Sequence, residues 1–169
     1  METYRVFVSK DYMKFNAAHF IAFKGFRERL HGHNYRMSVA ITGDRIGHDG
    51  YLIDFGDIKK IAKDICRELN EHFLVPMKSD VLQIDANDEN VRLTTEDGKT
   101  FSFPRDDCSL LPIVHSSAEE LARYLTDVLL DRFTMEQMKA RHATKIEVSI
   151  AEAENQLAAY ERVLVYNTV

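Results

Sequence analysis

Two stretches of alternating side chains, residues 4–20 and 31–42, are joined by the short segment 21–30, and that arrangement limits the fold more than any other feature. Successive side chains of a strand point to opposite sides. Met13, Phe15, Ala17 and His19 therefore share one face, as do His31, His33, Tyr35, Met37, Val39 and Ile41. The other face of the second stretch carries Asn34, Arg36, Ser38 and Thr42. Antiparallel pairing across the 21–30 loop would bring His19, His31 and His33 together at one end of the more apolar face.

Helical spacing follows. In "DFGDIKKIAKDICRELNEHF" (54–73), Ile58, Ile61, Ala62, Ile65 and Leu69 form a stripe, with Asp54 or Asp57 as N-cap. Cys66 lies beside that stripe, as a buried structural thiol would. A second helix is predicted in "HSSAEELARYLTDVLLDRF" (115–133), where Ser117 and Glu120 have capping-box spacing and Leu121, Leu125, Val128 and Leu129 supply the apolar face. Between the helices, "VLQIDA", "NVRLTT" and "KTFSF" within 81–103 are strand-like, and Asp97-Gly98 is a hairpin turn signal. The chain ends in "TKIEVSIAE", with Ile146, Val148, Ile150 and Glu152 on one face, and a strand near "ERVLVY". The order is hairpin, helix, insertion, helix, hairpin, with no dividing linker. That order predicts a single α+β domain over 1–169, an antiparallel sheet with two helices on one face and a β insertion between the helices.

Composition narrows the class. A formal charge of −5 argues against nucleic acid as the main partner. No apolar run approaches the ~18 residues of a membrane span, and "METYRVFVSKDY" lacks a secretory core. Cys66 and Cys108 make neither a disulfide framework nor a CxxC pair. A soluble cytoplasmic protein is expected.

Catalytic zinc commonly takes three protein ligands and keeps the fourth position open. A His-x-His pair on one strand presents both rings to one side, and His19 on its neighbour would complete the set. The pattern alone serves two readings, a zinc site or partly exposed histidines at a sheet end. His48, His72, His115 and His142 show no comparable spacing.

The words "FNAAHF", "LHGHNY" and "GYLIDF", in this order, resemble the 6-pyruvoyl-tetrahydropterin synthase family, which includes 6-carboxytetrahydropterin synthase. The likeness runs in patches from Phe15 to Glu152, with 78–112 outside the common core. It implies the tunnelling fold (ββααββ), with units assembled into a homo-oligomer, a hexamer built as a dimer of trimers. It also implies zinc on His19, His31 and His33 and a small-molecule pterin substrate. A glutamate matching Glu152 would anchor the pterin, since a carboxylate accepts two parallel hydrogen bonds from a guanidine-like edge. Ser117 and Glu119 match residues lining the pterin pocket. A cap for Ser117 and a solvated first-turn acid for Glu119 are the alternatives.

This chain departs from the family in two places. The pyruvoyl- and carboxypterin-forming members carry a cysteine shortly before the His-x-His, whereas "KGFRERLHGH" has none and offers Glu28. Glu28 resembles a folate-type branch that cleaves 7,8-dihydroneopterin triphosphate to 6-hydroxymethyl-7,8-dihydropterin, where it would act as acid/base. The family's Asp-His relay word is here "LNEHFL", so Glu71 or His72 would have to supply that function, unless the relay is absent and the chain is a catalytically weak pterin-binding protein. Lys24, Arg27 and Arg29 would either hold the triphosphate or be charges of a solvated loop, with Arg27 the foremost phosphate candidate because it is close to the missing cysteine's place.

Overall fold

The expected hairpin forms the centre of the molecule. β1 (Tyr4–His19) pairs antiparallel with β4 (His31–Gly43), and the loop between them contains a small ribbon of β2 (Ala22–Phe23) and β3 (Phe26–Arg27). The computed structural model describes residues 2–166. The buried alternation of β1 changes phase between Val8 and Met13. A bulge absorbs the change, because Ser9 faces Ser38 while Lys14 already faces Arg36. Extra residues on one strand bend it and raise its twist, so both apolar sets reach the same core.

α1 (Phe55–Leu69) starts at Asp54, whose carboxylate accepts the Gly56 N–H at 2.6 Å. Asp57 sits inside the first turn, where an acid complements the helix dipole. Ile58, Ala62, Ile65, Cys66 and Leu69 are buried. The helix ends earlier than the sequence suggests. Asn70 caps it, Glu71 takes a left-handed φ of 62°, and His72–Pro76 forms β5. The Asn70 carboxamide accepts the Asn16 N–H at 2.9 Å, and the Glu71 N–H donates to the Asn16 carbonyl at 2.6 Å. These bonds fix the end of α1 to β1.

α2 (Ala118–Phe133) buries Leu121, Leu125 and Leu129, and a short α3 (Met135–Ala140), not expected from the sequence, follows it. β10 (Ala143–Ala153) pairs antiparallel with β4, and β11 (Gln156–Val163) with β10. β11 begins before the predicted strand, directly after a turn in which Asn155 has φ 62°. The main sheet runs β11-β10-β4-β1-β5 and ends on β9 (Cys108–Leu111). The four strands from β11 to β1 are antiparallel as expected, whereas β5 and β9 extend the sheet in parallel. α1 and α2 cover one face and share a core with β1, β4 and β10.

The insertion folds as a separate antiparallel sheet of β6 (Gln83–Ala86), β7 (Asn90–Thr94) and β8 (Thr100–Pro104). The Asp97-Gly98 turn lies at its tip, with Gly98 at φ 75°. Val91 and Leu93 pack with Phe20, Phe73 and Val75 in a second core. Phe73 and Val75 flank Leu74, which belongs to the helix-side core, so the insertion covers the opposite face of the main sheet near its β5 edge. No helix among the described residues is long and apolar enough to cross a membrane.

Candidate functional site

The register of the hairpin decides where the histidines go. Ala17 pairs with His33 and His19 with His31, on the face above a stacked Phe15–Tyr35 pair whose centroids are 4.9 Å apart. One donor nitrogen from each of His19, His31 and His33 lies within 4.8 Å of the others. His19 is buried at 2 % exposure, while His33 is half-buried.

Backbone carbonyls orient two of the rings. His19 Nδ1 lies 2.8 Å from the Ser116 carbonyl, and His31 Nδ1 lies 2.7 Å from the Arg29 carbonyl. A carbonyl only accepts, so in the neutral rings each Nδ1 carries the proton and each Nε2 presents a lone pair. The two Nε2 atoms face each other at 3.2 Å. Two lone pairs at that separation repel unless a cation lies between them. Nitrogens bound at ~2.0–2.1 Å to a tetrahedral ion stand ~3.3 Å apart. The donor set therefore fits a divalent metal ion that takes imidazole ligands, with the carbonyls as its outer support. His19 is held below the ordinary histidine range, first by burial and further by the neighbouring His31 and His33. Its Ser116 hydrogen bond and Glu28 oppose that shift. A neutral imidazole is the form that binds metal.

A cleft of about 300 Å³ opens over the triad and is lined also by Glu28, Ser117, Glu119, Glu152 and Gln156. Glu28 is held in the loop before the His-x-His. Its Oε2 accepts the Ile21 N–H at 2.8 Å, and its own N–H donates to the Ile21 carbonyl at 2.9 Å. Glu152 reaches in from β10, with Oε2 3.9 Å from His33 Nε2. Ser117 is the N-cap of α2, its hydroxyl accepting the Glu120 N–H at 3.3 Å. The Glu120 carboxylate does not close a reciprocal box on Ser117, but accepts the Val114 and His115 N–H groups at 2.9 and 3.3 Å. Glu119 is exposed in the first turn, at the cleft wall. Beneath the triad, the fully buried Tyr35 hydroxyl has no hydrogen-bond partner among the described residues. Burial first, and then the Glu152 and Glu28 carboxylates, raise its pKa.

Of the residues expected at the site, Glu71, His72, Arg27 and the exposed Lys24 and Arg29 lie outside this cleft. Glu71 and His72 line a neighbouring cleft of about 490 Å³ that shares His33 with the first, and His72 Nδ1 sits 2.8 Å from the Ser109 hydroxyl. The early end of α1 carries them to that side. Arg27 points toward the insertion, where its Nη2 meets Asp97 Oδ2 at 3.3 Å. Gln156, which sequence reasoning missed, enters because β11 starts at the Asn155 turn; the Glu154-Asn155 pair was the available turn signal. Neither cysteine lines the cleft: Cys66 is in the helix-side core and Cys108 in the core under the insertion.

The comparisons with known proteins agree with this arrangement. A crystal structure of 6-pyruvoyl tetrahydropterin synthase from Plasmodium vivax superposes with a TM-score of 0.92 at 41 % identity, covering 96 % of this chain and 99 % of that one. A variant of the P. vivax enzyme, with a glutamate described as a catalytic residue changed to alanine, matches at 40 % identity with the same coverage and TM-score. A provisionally named 6-carboxy-5,6,7,8-tetrahydropterin synthase of Methanocaldococcus jannaschii is 33 % identical over 152 residues, 90 % of this chain and 91 % of its own length. The α+β architecture is the tunnelling fold. The model of the family described as 6-pyruvoyl tetrahydropterin synthase matches residues 8–163, and the chain belongs to that family.

Proposed function

We propose that this protein is a zinc-dependent lyase that cleaves the side chain of 7,8-dihydroneopterin triphosphate to give 6-hydroxymethyl-7,8-dihydropterin, with Glu28 as acid and base. The observation that carries this reading is the position of Glu28. It is the carboxylate of the loop before the His-x-His, it lines the triad cleft, and no thiol is there to do the work instead. That a glutamate is a catalytic residue of the P. vivax relative supports the choice.

Zinc at His19, His31 and His33 supplies a Lewis acid for the side-chain oxygens. Glu152 and Glu119 are the carboxylates available to accept hydrogen bonds from the amino and amide edge of the pterin, with Ser117 beside them. That binding leaves the side chain toward Glu28. The Glu28 carboxylate takes the proton of the second side-chain hydroxyl, which becomes an aldehyde as the bond between the first and second side-chain carbons breaks. The electron pair passes into the ring imine. Protonated Glu28 then returns its proton to the first side-chain carbon, leaving the hydroxymethyl group. The other product is glycolaldehyde triphosphate, and atoms and charge balance.

The second reading is 6-pyruvoyl- or 6-carboxytetrahydropterin synthesis, favoured by the name of the M. jannaschii relative. It requires a proton relay without cysteine. Glu71 and His72 are its candidates, working where a second copy of the chain completes the pocket. Both readings take a homo-oligomer, a hexamer as a dimer of trimers, as the working form.

The deciding experiment incubates the zinc-loaded protein with 7,8-dihydroneopterin triphosphate under reducing conditions and identifies the pterin by mass. The expected product is 6-hydroxymethyl-7,8-dihydropterin, lost in Glu28→Ala. A pyruvoyl product would transfer the assignment to the second reading. Bound but unconverted pterin would remove both.

A further inference from the structure

The loop that carries Glu28 is attached to the insertion through the tip of the β7–β8 hairpin. Two hydrogen bonds make the attachment, and a third ties its arginine back to the loop. The Gly25 N–H donates to Glu96 Oε2 at 2.8 Å. Arg27 Nη2 donates to Asp97 Oδ2 at 3.3 Å. Arg27 Nη1 donates to the main-chain carbonyl of Glu28 itself at 2.9 Å. One planar guanidinium thus joins the insertion tip to the backbone of the proposed acid/base. Its carbon also lies 5.6 Å from the Phe101 ring centroid on β8 and 6.0 Å from that of Phe20, within cation–π range of both. Asp97 is oriented in turn by the Thr95 hydroxyl, which donates to its other oxygen.

We propose that the insertion serves as a bracket for the catalytic loop, and that Arg27 and Asp97 are positioning residues that hold the Glu28 carboxylate at the triad cleft. The assignment rests on Glu28 being the acid/base of the proposed reaction. It explains why Arg27 faces away from the cleft: a fork bridging Asp97 and the Glu28 carbonyl is not available to bind a triphosphate. It also gives the insertion a function, since β2 and β3 form only a small ribbon, with Ala22 opposite Arg27 and Phe23 opposite Phe26. Lysine cannot replace the bridge, because its single ammonium lacks the two-pronged geometry.

The test compares wild type with Asp97→Ala and Arg27→Lys, both as full-length zinc-loaded protein. Asp97 is half exposed, so its loss spares both cores. Two readouts are taken. Amide hydrogen exchange at Ile21, Gly25 and Glu28 is expected to quicken about tenfold or more in both variants, while the α1 amides keep their wild-type rates. In steady-state turnover, kcat is expected to fall about ten- to a hundredfold with KM and zinc content unchanged, the signature of a displaced catalytic group. Wild-type exchange at Ile21 and Glu28 in both variants would overturn the bracket. So would a raised KM with unchanged kcat, which would put Arg27 on the substrate. If wild-type protein converts no pterin, the functional reading fails, and the exchange data decide the bracket by themselves.

Discussion

His19 and His31 show how single atoms decide a site. Their spacing was legible because a strand's period of two leaves little freedom once two strands pair across a short loop. Their tautomers were not legible, since these depend on the Ser116 and Arg29 carbonyls, one supplied by a segment 97 positions away. The same limit explains Arg27, whose direction is set by the insertion rather than by its own loop. Cys66 was legible as a core thiol, and it carries a pH dependence. Burial pushes this thiol up to about 12 from its ordinary 9.0. Between those values the unfolded chain has lost the proton and the folded one keeps it, so stability falls as pH rises through that window, by up to ~1.4 kcal/mol per pH unit. Cys108 is raised in the same sense by burial. Urea unfolding from pH 8 to 10.5 should show a shallower alkaline decline in Cys66→Ala than in wild type. Parallel slopes would mean that Cys66 ionises normally in the fold.

At the scale of the element, the start of α2 combines a cap with a cleft wall. Ser117 accepts the Glu120 N–H, and loss of such a cap costs about 1 kcal/mol. Ser117→Ala should therefore lower the Tm by ~2–4 °C. Ser117→Asp should restore the Tm, because aspartate caps equally well, yet it places a new negative charge beside Glu119 and should weaken pterin binding. A Tm unchanged in Ser117→Ala would show that the Glu120 bonds to Val114 and His115 hold the helix start unaided. The helices themselves were legible from their stripes and caps. The phase shift in β1 was not, because the bulge between Ser9 and Lys14 interrupts the alternation without a glycine or proline to mark it. Nor was β5: "HFLVP" continues the apolar pattern of α1, and only the capping Asn70 and the left-handed Glu71 separate them.

For the whole molecule, the unresolved demand is the outer face of the sheet. The insertion covers it only near β5, while Phe7 on β1 and Leu157 and Val163 on β11 remain 54 %, 65 % and 65 % exposed. The register puts Phe7 in the same cross-strand row as Glu161, and Leu157, Glu161 and Val163 alternate along one face of β11. β11 is also an edge strand, with backbone donors and acceptors left over for another chain. Apolar side chains beside a free edge are best satisfied by further copies, and a closed ring removes the edges altogether. The protein should therefore sediment as a trimer or hexamer at micromolar concentration. Val163→Asp should lower that mass, because it replaces an exposed apolar side chain with a second acid next to Glu161 on the same face. Val163 lies at the end of β11 far from Gln156, so the substitution leaves the cleft's own residues in place. If the pocket is completed between copies, the dissociated variant should still take up zinc, since the three candidate ligands all come from β1 and β4, but lose affinity for the pterin. A monomeric wild type, or a dissociated variant that still binds pterin as tightly, would confine the site to one chain and leave Glu71 and His72 without a part in it.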